Sequence, residues 1–375
     1  MAKTSDFDNL VYAIHKWCGL IAGLFILMLS ITGAMLVFND EIDTATNADM
    51  VKVNPEGQRL STDALIQSLV QQLPDASLSS TLLYPGEPDR APMTQLRLGD
   101  KNWWVYQNPA TGAVLGKREP NETFMKVILH VHEHLTLGQT GHAILLVVGI
   151  ALILMVVTGV WYYRKSLFSV FKIGVRNRNT YLVNSDLHKL TGVLSFIFLL
   201  LMAVTGSFMH WEKVERMFEP KEAPAAARAE EPQVEPAAPD YTQLSLVRGL
   251  QIAEKSISDF TPAQIRYPKA ADGNVVIAGT RPESNRLLGV YTSSVEINPA
   301  SGEVVKVEHA EDRDFEANAE AFMEQVHFGH YGGIVIQLFY ALGGIGLGIM
   351  TITGFVIWWK KRNFPKQKAK AARMA

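Results

Sequence analysis

The sequence predicts an α-helical membrane protein: a four-span bundle built as a parallel internal repeat, with two small α+β domains outside the membrane. Three observations predict it. Four apolar runs are long enough to cross a bilayer. Paired motifs recur at two fixed offsets. The segments after the first and third runs pass from a helical to a strand-like hydrophobic period. Bulk composition agrees. Of 375 residues only 19% are charged, against about 25% in soluble domains, and the mean hydropathy is +0.07. Lys and Arg number 35 and Asp and Glu 37. That balance leaves no basic footprint and argues against a nucleic-acid partner. The one cysteine, Cys18, excludes an intrachain disulfide framework, a four-Cys zinc site and an iron–sulfur cluster held within the chain. No CxxCH is present, which excludes covalent haem attachment of the c type. Ten histidines remain as the chief chemical resource.

The spans are 19–38, 143–163, 190–209 and 334–359, and none contains Lys, Arg, Asp or Glu. A helix rising about 1.5 Å per residue crosses a ~30 Å hydrocarbon core in ~20 residues. The first run is too long for a cleaved leader, and Asn39, Asp40 and Glu41 after it offer no small-residue cleavage pattern, so it reads as an uncleaved anchor. Orientation follows the basic residues. Segment 164–189 has six basic residues and one acid, Asp186, and the tail from Lys360 has seven basic residues and no acid. With the N-terminus, these pieces are expected in the cytoplasm. The two long loops hold 20 basic and 34 acidic residues and are expected outside. Trp17, Trp161, Tyr162, Tyr163, Trp358 and Trp359 fall at the cytoplasmic boundary as interfacial anchors.

The expected organisation is 1–38, N-terminus and first span; 39–139, first outer domain with a membrane-edge helix; 140–165, second span; 166–187, cytoplasmic loop; 188–211, third span; 212–240, linker; 241–332, second outer domain; 333–360, fourth span; 361–375, basic tail. The linker reads as disordered because 219–240 holds five prolines among Ala and Glu. In the first outer domain 61–73 is an amphipathic helix, and 95–98 and 103–107 alternate as strands. In the second, the helix is 244–257 and the strands are 275–278, 290–297 and 304–307.

The repeat is written in the spans. His15-Lys16 with Gly19 and Thr32-Gly33 recurs 173 residues later as His188-Lys189 with Gly192 and Thr205-Gly206. His132 lies 26 residues before Thr158-Gly159, and His327 lies 26 before Thr353-Gly354. Asn108-Pro109-Ala110-Thr111-Gly112 matches Asn298-Pro299-Ala300-Ser301-Gly302. Each half thus reads span, outer domain, span, with both halves entering the membrane in one direction.

These motifs resemble those of the PepSY-associated transmembrane family of bacterial inner membranes. The resemblance rests on the two H-K-x-x-G…T-G spans, on H-x-x-L-x-x-G at His132, Leu135 and Gly138, and on H-x-G at His327 and Gly329. The paired N-P-A-[TS]-G turns resemble PepSY-domain hairpins. It covers nearly the whole chain apart from linker and tail. It implies an inner-membrane protein, both termini cytoplasmic and both large loops periplasmic, of a family that includes haem-containing ferric-siderophore reductases and iron-regulated membrane proteins. The expected activity is haem-dependent ferric-chelate oxidoreduction, with two b haems as cofactors and a ferric siderophore as substrate. No flavin or nicotinamide domain is present, so the electron donor would be quinol or a separate cytoplasmic reductase. The alternative is a haem-free PepSY regulatory or binding membrane protein.

Bis-histidine ligation of haem needs two histidines from facing helices at one depth. The repeat supplies two such pairs: His15 with His188 at the cytoplasmic side, and His132 with His327 at the outer side. His210 is an alternative outer ligand. It follows His188 by 22 residues, roughly 40° past six full turns at 100° per residue, so both project from nearly one face. Val37 occupies the matching position in the first half, so symmetry gives His210 no partner. His134, His142 and His330 read as local structure or as alternative ligands. A competing metal is zinc, because His130, Glu133 and His134 spell H-x-x-E-H, although no second Glu follows. Gly343, Gly344, Gly346 and Gly348 read as close helix packing, with room for a porphyrin against the backbone as the alternative.

Overall fold

A computed structural model of the chain describes residues 6–54, 57–167, 169–218, 240–241, 245–270 and 273–374. Most of the linker expected over 212–240 lies outside these residues. The helices in chain order are α1 (Asp6–Leu36), α2 (Asn39–Thr46), α3 (Ala48–Val51), α4 (Thr62–Gln72), α5 (Phe124–His134), α6 (Gln139–Tyr163), α7 (Ser169–Ile173), α8 (Thr180–Glu215), α9 (Leu246–Ser256), α10 (Phe315–Phe328) and α11 (Gly333–Met374). The strands are β1 (Ala76–Leu82), β2 (Met93–Leu98), β3 (Lys101–Gln107), β4 (Val114–Arg118), β5 (Thr261–Arg266), β6 (Val275–Thr280), β7 (Ser293–Ile297) and β8 (Val304–His309). The described residues fall into two compact units. One comprises Met1–Phe38, Ile128–Glu219 and Val326–Ala375, the other Asn39–Val127 and Pro220–Gln325.

The first unit holds four helices long and apolar enough to cross a membrane, α1, α6, α8 and α11. They outrun the apolar stretches because their ends are polar but still helical. Asp6 and Asp8 occupy the first turn of α1, where carboxylates favour the positive helix end. Asn179 caps α8 by accepting the Leu182 N–H at 2.9 Å. His15 and His188 therefore lie inside helices rather than before them. α1 packs on α6 and α11, and so does α8, which leaves α1 and α8 at opposite corners. The glycines of α11 set the approach. A Cβ on Gly344 would lie 3.0 Å from the Ser30 carbonyl of α1, and one on Gly346 would lie 3.2 Å from Thr191 of α8. Close helix packing is thus their use here. Ile21, Leu24, Val147, Leu194, Ile197 and Leu342 point outward, exposed. A bundle with so apolar an outer face needs a lipid surround.

The second unit is one antiparallel eight-stranded sheet in the order β4-β3-β2-β1-β5-β6-β7-β8. Each half of the order is a helix followed by a four-strand meander: α4 then β1 to β4, and α9 then β5 to β8. The sequence reading separates two outer domains. The backbone joins them, because β1 pairs with β5 through Ser80–Arg266, Thr81–Ile265 and Leu82–Gln264. At this seam the buried Thr81 hydroxyl bonds both Thr94 and Tyr267, each at 2.8 Å. Both helices feed one core that includes Ile66, Leu69, Leu96, Val105, Leu246, Ile265, Ile277 and Val295. Burying each large apolar side chain contributes roughly 1.5–3 kcal/mol. Ser61 caps α4, as its position before the amphipathic run predicts, by accepting the Ala64 N–H at 3.2 Å. Asp63 in turn accepts the Val247 N–H of α9 at 3.0 Å.

The two N-P-A-[TS]-G segments are the same turn. Asn108 Oδ1 accepts from the Ala110 and Thr111 N–H groups at 2.9 and 3.2 Å. Asn298 Oδ1 accepts from Ala300 and Ser301 at 3.0 and 3.1 Å. Gly112 and Gly302 follow at φ 74° and 75°, left-handed backbone that glycine adopts without a Cβ penalty. Strands β1, β4 and β5 lie outside the sequence reading. β1 is rich in serine and β5 contains Pro262 beside a register shift, so neither carries the β-branched signal of a buried strand.

Candidate functional site

Each spanning helix carries a Thr-Gly pair that holds a histidine from another helix. Thr32 Oγ1 lies 2.8 Å from His132 Nδ1 and Thr205 Oγ1 lies 2.8 Å from His327 Nδ1. Thr158 Oγ1 lies 3.3 Å from His15 Nδ1 and Thr353 Oγ1 lies 3.1 Å from His188 Nδ1. The adjoining glycines make room for the rings. Cβ atoms on Gly33, Gly206, Gly159 and Gly354 would stand 3.0, 3.1, 3.1 and 3.3 Å from Cε1 of His132, His327, His15 and His188. α1 gives His15 to α6 and receives His132 from α5, and α8 gives His188 to α11 and receives His327 from α10.

The hydrogen bonds fix the tautomer. His15 Nδ1 sits 2.9 Å from the Met155 carbonyl and His188 Nδ1 sits 3.0 Å from the Met350 carbonyl. A carbonyl only accepts, so both Nδ1 atoms carry hydrogen. Thr32 donates its hydroxyl hydrogen to the Met28 carbonyl, and Thr205 donates to that of Leu201. Their oxygens are left to accept from Nδ1–H of His132 and His327. In all four neutral rings the lone pair is then on Nε2, the arrangement of a ligating histidine whose other nitrogen is anchored.

The four rings stand as two close pairs, one with ring planes at 88° and the other at 53°. His15 and His188 have ring centres 6.2 Å apart, and His132 and His327 have centres 6.4 Å apart. With a metal–nitrogen bond of about 2.0–2.1 Å and a ring radius of about 1.1 Å, trans imidazoles on one ion stand about 6.3 Å apart. Both separations suit one metal between the rings. Among the described residues no three His, Cys, Asp or Glu side chains stand ready around a metal ion. Along α1 the two pairs are 17 residues apart, from His15 to Thr32, or about 25 Å of helix.

His210 is placed differently. Its Nδ1 lies 3.2 Å from His142 Nδ1, with ring centres 5.5 Å apart. His309 bonds Ser293 within the sheet at 3.0 Å, and His330 lies against Phe328. The sequence reading noticed the Thr-Gly pairs only as markers of the repeat and missed them as holders of the histidines. Their presence in all four spans was the available signal.

The holding predicts a graded response to small insertions. Gly33→Ala and Gly206→Ala press a methyl group on an imidazole and should destabilise the detergent-purified protein by about 1–3 kcal/mol. Gly19→Ala meets only the flexible tip of Met155 at 3.4 Å and should be neutral or stabilising, because alanine favours helix by roughly 1 kcal/mol. Thermal unfolding of the three variants checks the order. Equal melting temperatures in all three would contradict the packing of the rings on Gly33 and Gly206.

Comparison with known proteins gives one family. A model described as the PepSY-associated TM region matches residues 12–361, nearly the whole chain. No curated protein matches it.

Proposed function

Since the chain belongs to the PepSY-associated TM region family, we propose that it is a di-haem b electron-transfer protein of a bacterial inner membrane. In this reading it reduces ferric siderophores, Fe(III) to Fe(II), on the periplasmic side. One observation carries the reading: four histidines, each anchored at Nδ1, meet as two close pairs near opposite ends of the bundle. His15 and His188 would hold the inner haem, and His132 and His327 the outer one. Haem bound there supplies one-electron chemistry.

The chain's own residues set the conditions. The Met155 and Met350 carbonyls and the Thr32 and Thr205 hydroxyls accept Nδ1–H, which orients the rings and raises their basicity. A more basic imidazole favours the ferric state and so lowers the potential, toward what a tightly chelated ferric ion requires. The apolar helices exclude water between the two ends. Each ferric ion takes one electron, and Fe(II) is then held less tightly by hard oxygen donors. The electron donor would be quinol or a separate cytoplasmic reductase.

The matched histidine contacts, the two helix-and-meander halves of the sheet and the identical Asn turns all support a parallel internal repeat with two PepSY-like domains. Its pseudo-two-fold axis would run along the membrane normal. The basic residues of 164–189 and of the tail support cytoplasmic termini. A reporter active only in the cytoplasm, fused after Ala375, should be active, and activity of a periplasm-dependent reporter there would reverse the orientation.

The function is tested anaerobically with the dithionite-reduced, desalted protein, a ferric hydroxamate and an Fe(II) trap. Haem oxidation matched by trapped Fe(II) is expected. A reduced protein that stays reduced contradicts the reductase reading, and a colourless protein favours the haem-free PepSY alternative.

A further inference from the structure

Four further histidines at the outer end form a chain. His130, His134, His142 and His210 follow one another with ring centres 5.0, 5.6 and 5.5 Å apart. The backbone is shaped to bring the middle two together. Leu135 and Thr136 have φ of 56° and 60°, and left-handed backbone costs a non-glycine residue roughly 1 kcal/mol or more. Gly138 follows at φ 55°, and the Leu137 N–H bonds back to the His134 carbonyl at 2.8 Å. A Cβ on Gly141 would collide with that same carbonyl, so only glycine lets the turn close. The chain reverses between α5 and α6, and His134 lands against His142.

Two features of this cluster ask for a ligand. First, His142 and His210 present their Nδ1 atoms to each other at 3.2 Å. Two nitrogens bound cis to one ion at about 2.0–2.1 Å lie roughly 2.9–3.4 Å apart. Second, His134 Nδ1 is buried and finds no hydrogen-bond partner among the described residues, and an orphaned buried group of this kind is commonly explained by an ion or a water. His142 is itself buried, at 8% exposure. Neutral imidazoles are borderline donors that suit divalent transition metals better than hard ferric iron. His210 also follows Thr205, the holder of His327, by five residues, about 7.5 Å along α8.

We propose that His142 and His210, with His134 beside them, form a landing site for a divalent transition-metal ion that keeps its remaining ligands as water. Binding uses both Nδ1 lone pairs, so each ring carries its hydrogen on Nε2. The identity of the ion as Fe2+, the product of chelate reduction, rests on the reading under Proposed function; the site itself does not.

Zinc is the redox-inert probe. The purified full-length protein is dialysed against Zn2+, and zinc and haem per chain are measured on the same samples. One tightly held zinc per chain is expected, with affinity reduced at least about tenfold in His142→Gln or His210→Gln and binding lost when both are changed. His309→Gln, in the sheet, should bind as the parent does. No zinc in the parent protein, or unchanged binding in the double variant, overturns the site. Zinc bound by a protein without haem keeps the site and refutes the di-haem reading. Two haems without zinc refute the site alone.

Discussion

Replacing His132 or His327 by Ala is expected to lower haem from two per chain to one and to cut ferric-chelate reduction by about 100-fold or more. Losing an anchoring group behind a metal ligand already costs about 10–100-fold, and losing the ligand itself should cost more. The two variants should behave alike, because their ring centres stand 6.4 Å apart and either loss opens the same centre. The inner haem should remain reducible by dithionite. Added imidazole should restore part of the outer centre in both, which a merely structural histidine would not allow. His210→Ala is the control. Its ring bonds His142 at Nδ1, so it should retain two haems. One haem in His210→Ala, with two in His132→Ala and His327→Ala, would make His210 the outer ligand instead.

His15→Ala and His188→Ala should each remove about half the haem and leave the outer centre in place. Chemically reduced protein would still reduce chelate through that centre. Electrons supplied by a membrane donor would no longer cross, so chelate reduction by oriented vesicles should fall by about 100-fold or more. The contrast between chemical and membrane donors separates the two ends. If both variants keep full haem and an unchanged reduced spectrum, the His15/His188 pairing is wrong.

Much of this architecture was legible before any coordinates. The spans are readable because lipid demands long uncharged runs, and α4 because Ser61 caps an amphipathic stretch. The paired histidines are readable because the offsets of 173 and 195 residues put His15 with His188 and His132 with His327. The rest depends on contacts between distant residues. His15 meets Thr158 across 143 positions and His132 meets Thr32 across 100, and no local pattern marks either. β1 is a central strand whose buried face carries Ser80 and Thr81 beside Ala76 and Leu78, so its serine-rich segment lies outside the strands read from the sequence. The seam between β1 and β5 is likewise invisible in either strand alone. His134 and His142 look unrelated until the left-handed backbone at Leu135 and Thr136 folds one onto the other.

The central claim is that two histidine pairs hold two haems, and it is tested most directly by the spectrum of the purified wild-type protein, oxidised and dithionite-reduced, with haem per chain counted in the same sample. The account predicts a red protein with two non-covalently held b haems per chain, both low-spin and six-coordinate in both oxidation states. A colourless protein, a single haem per chain, or a five-coordinate high-spin spectrum would contradict it.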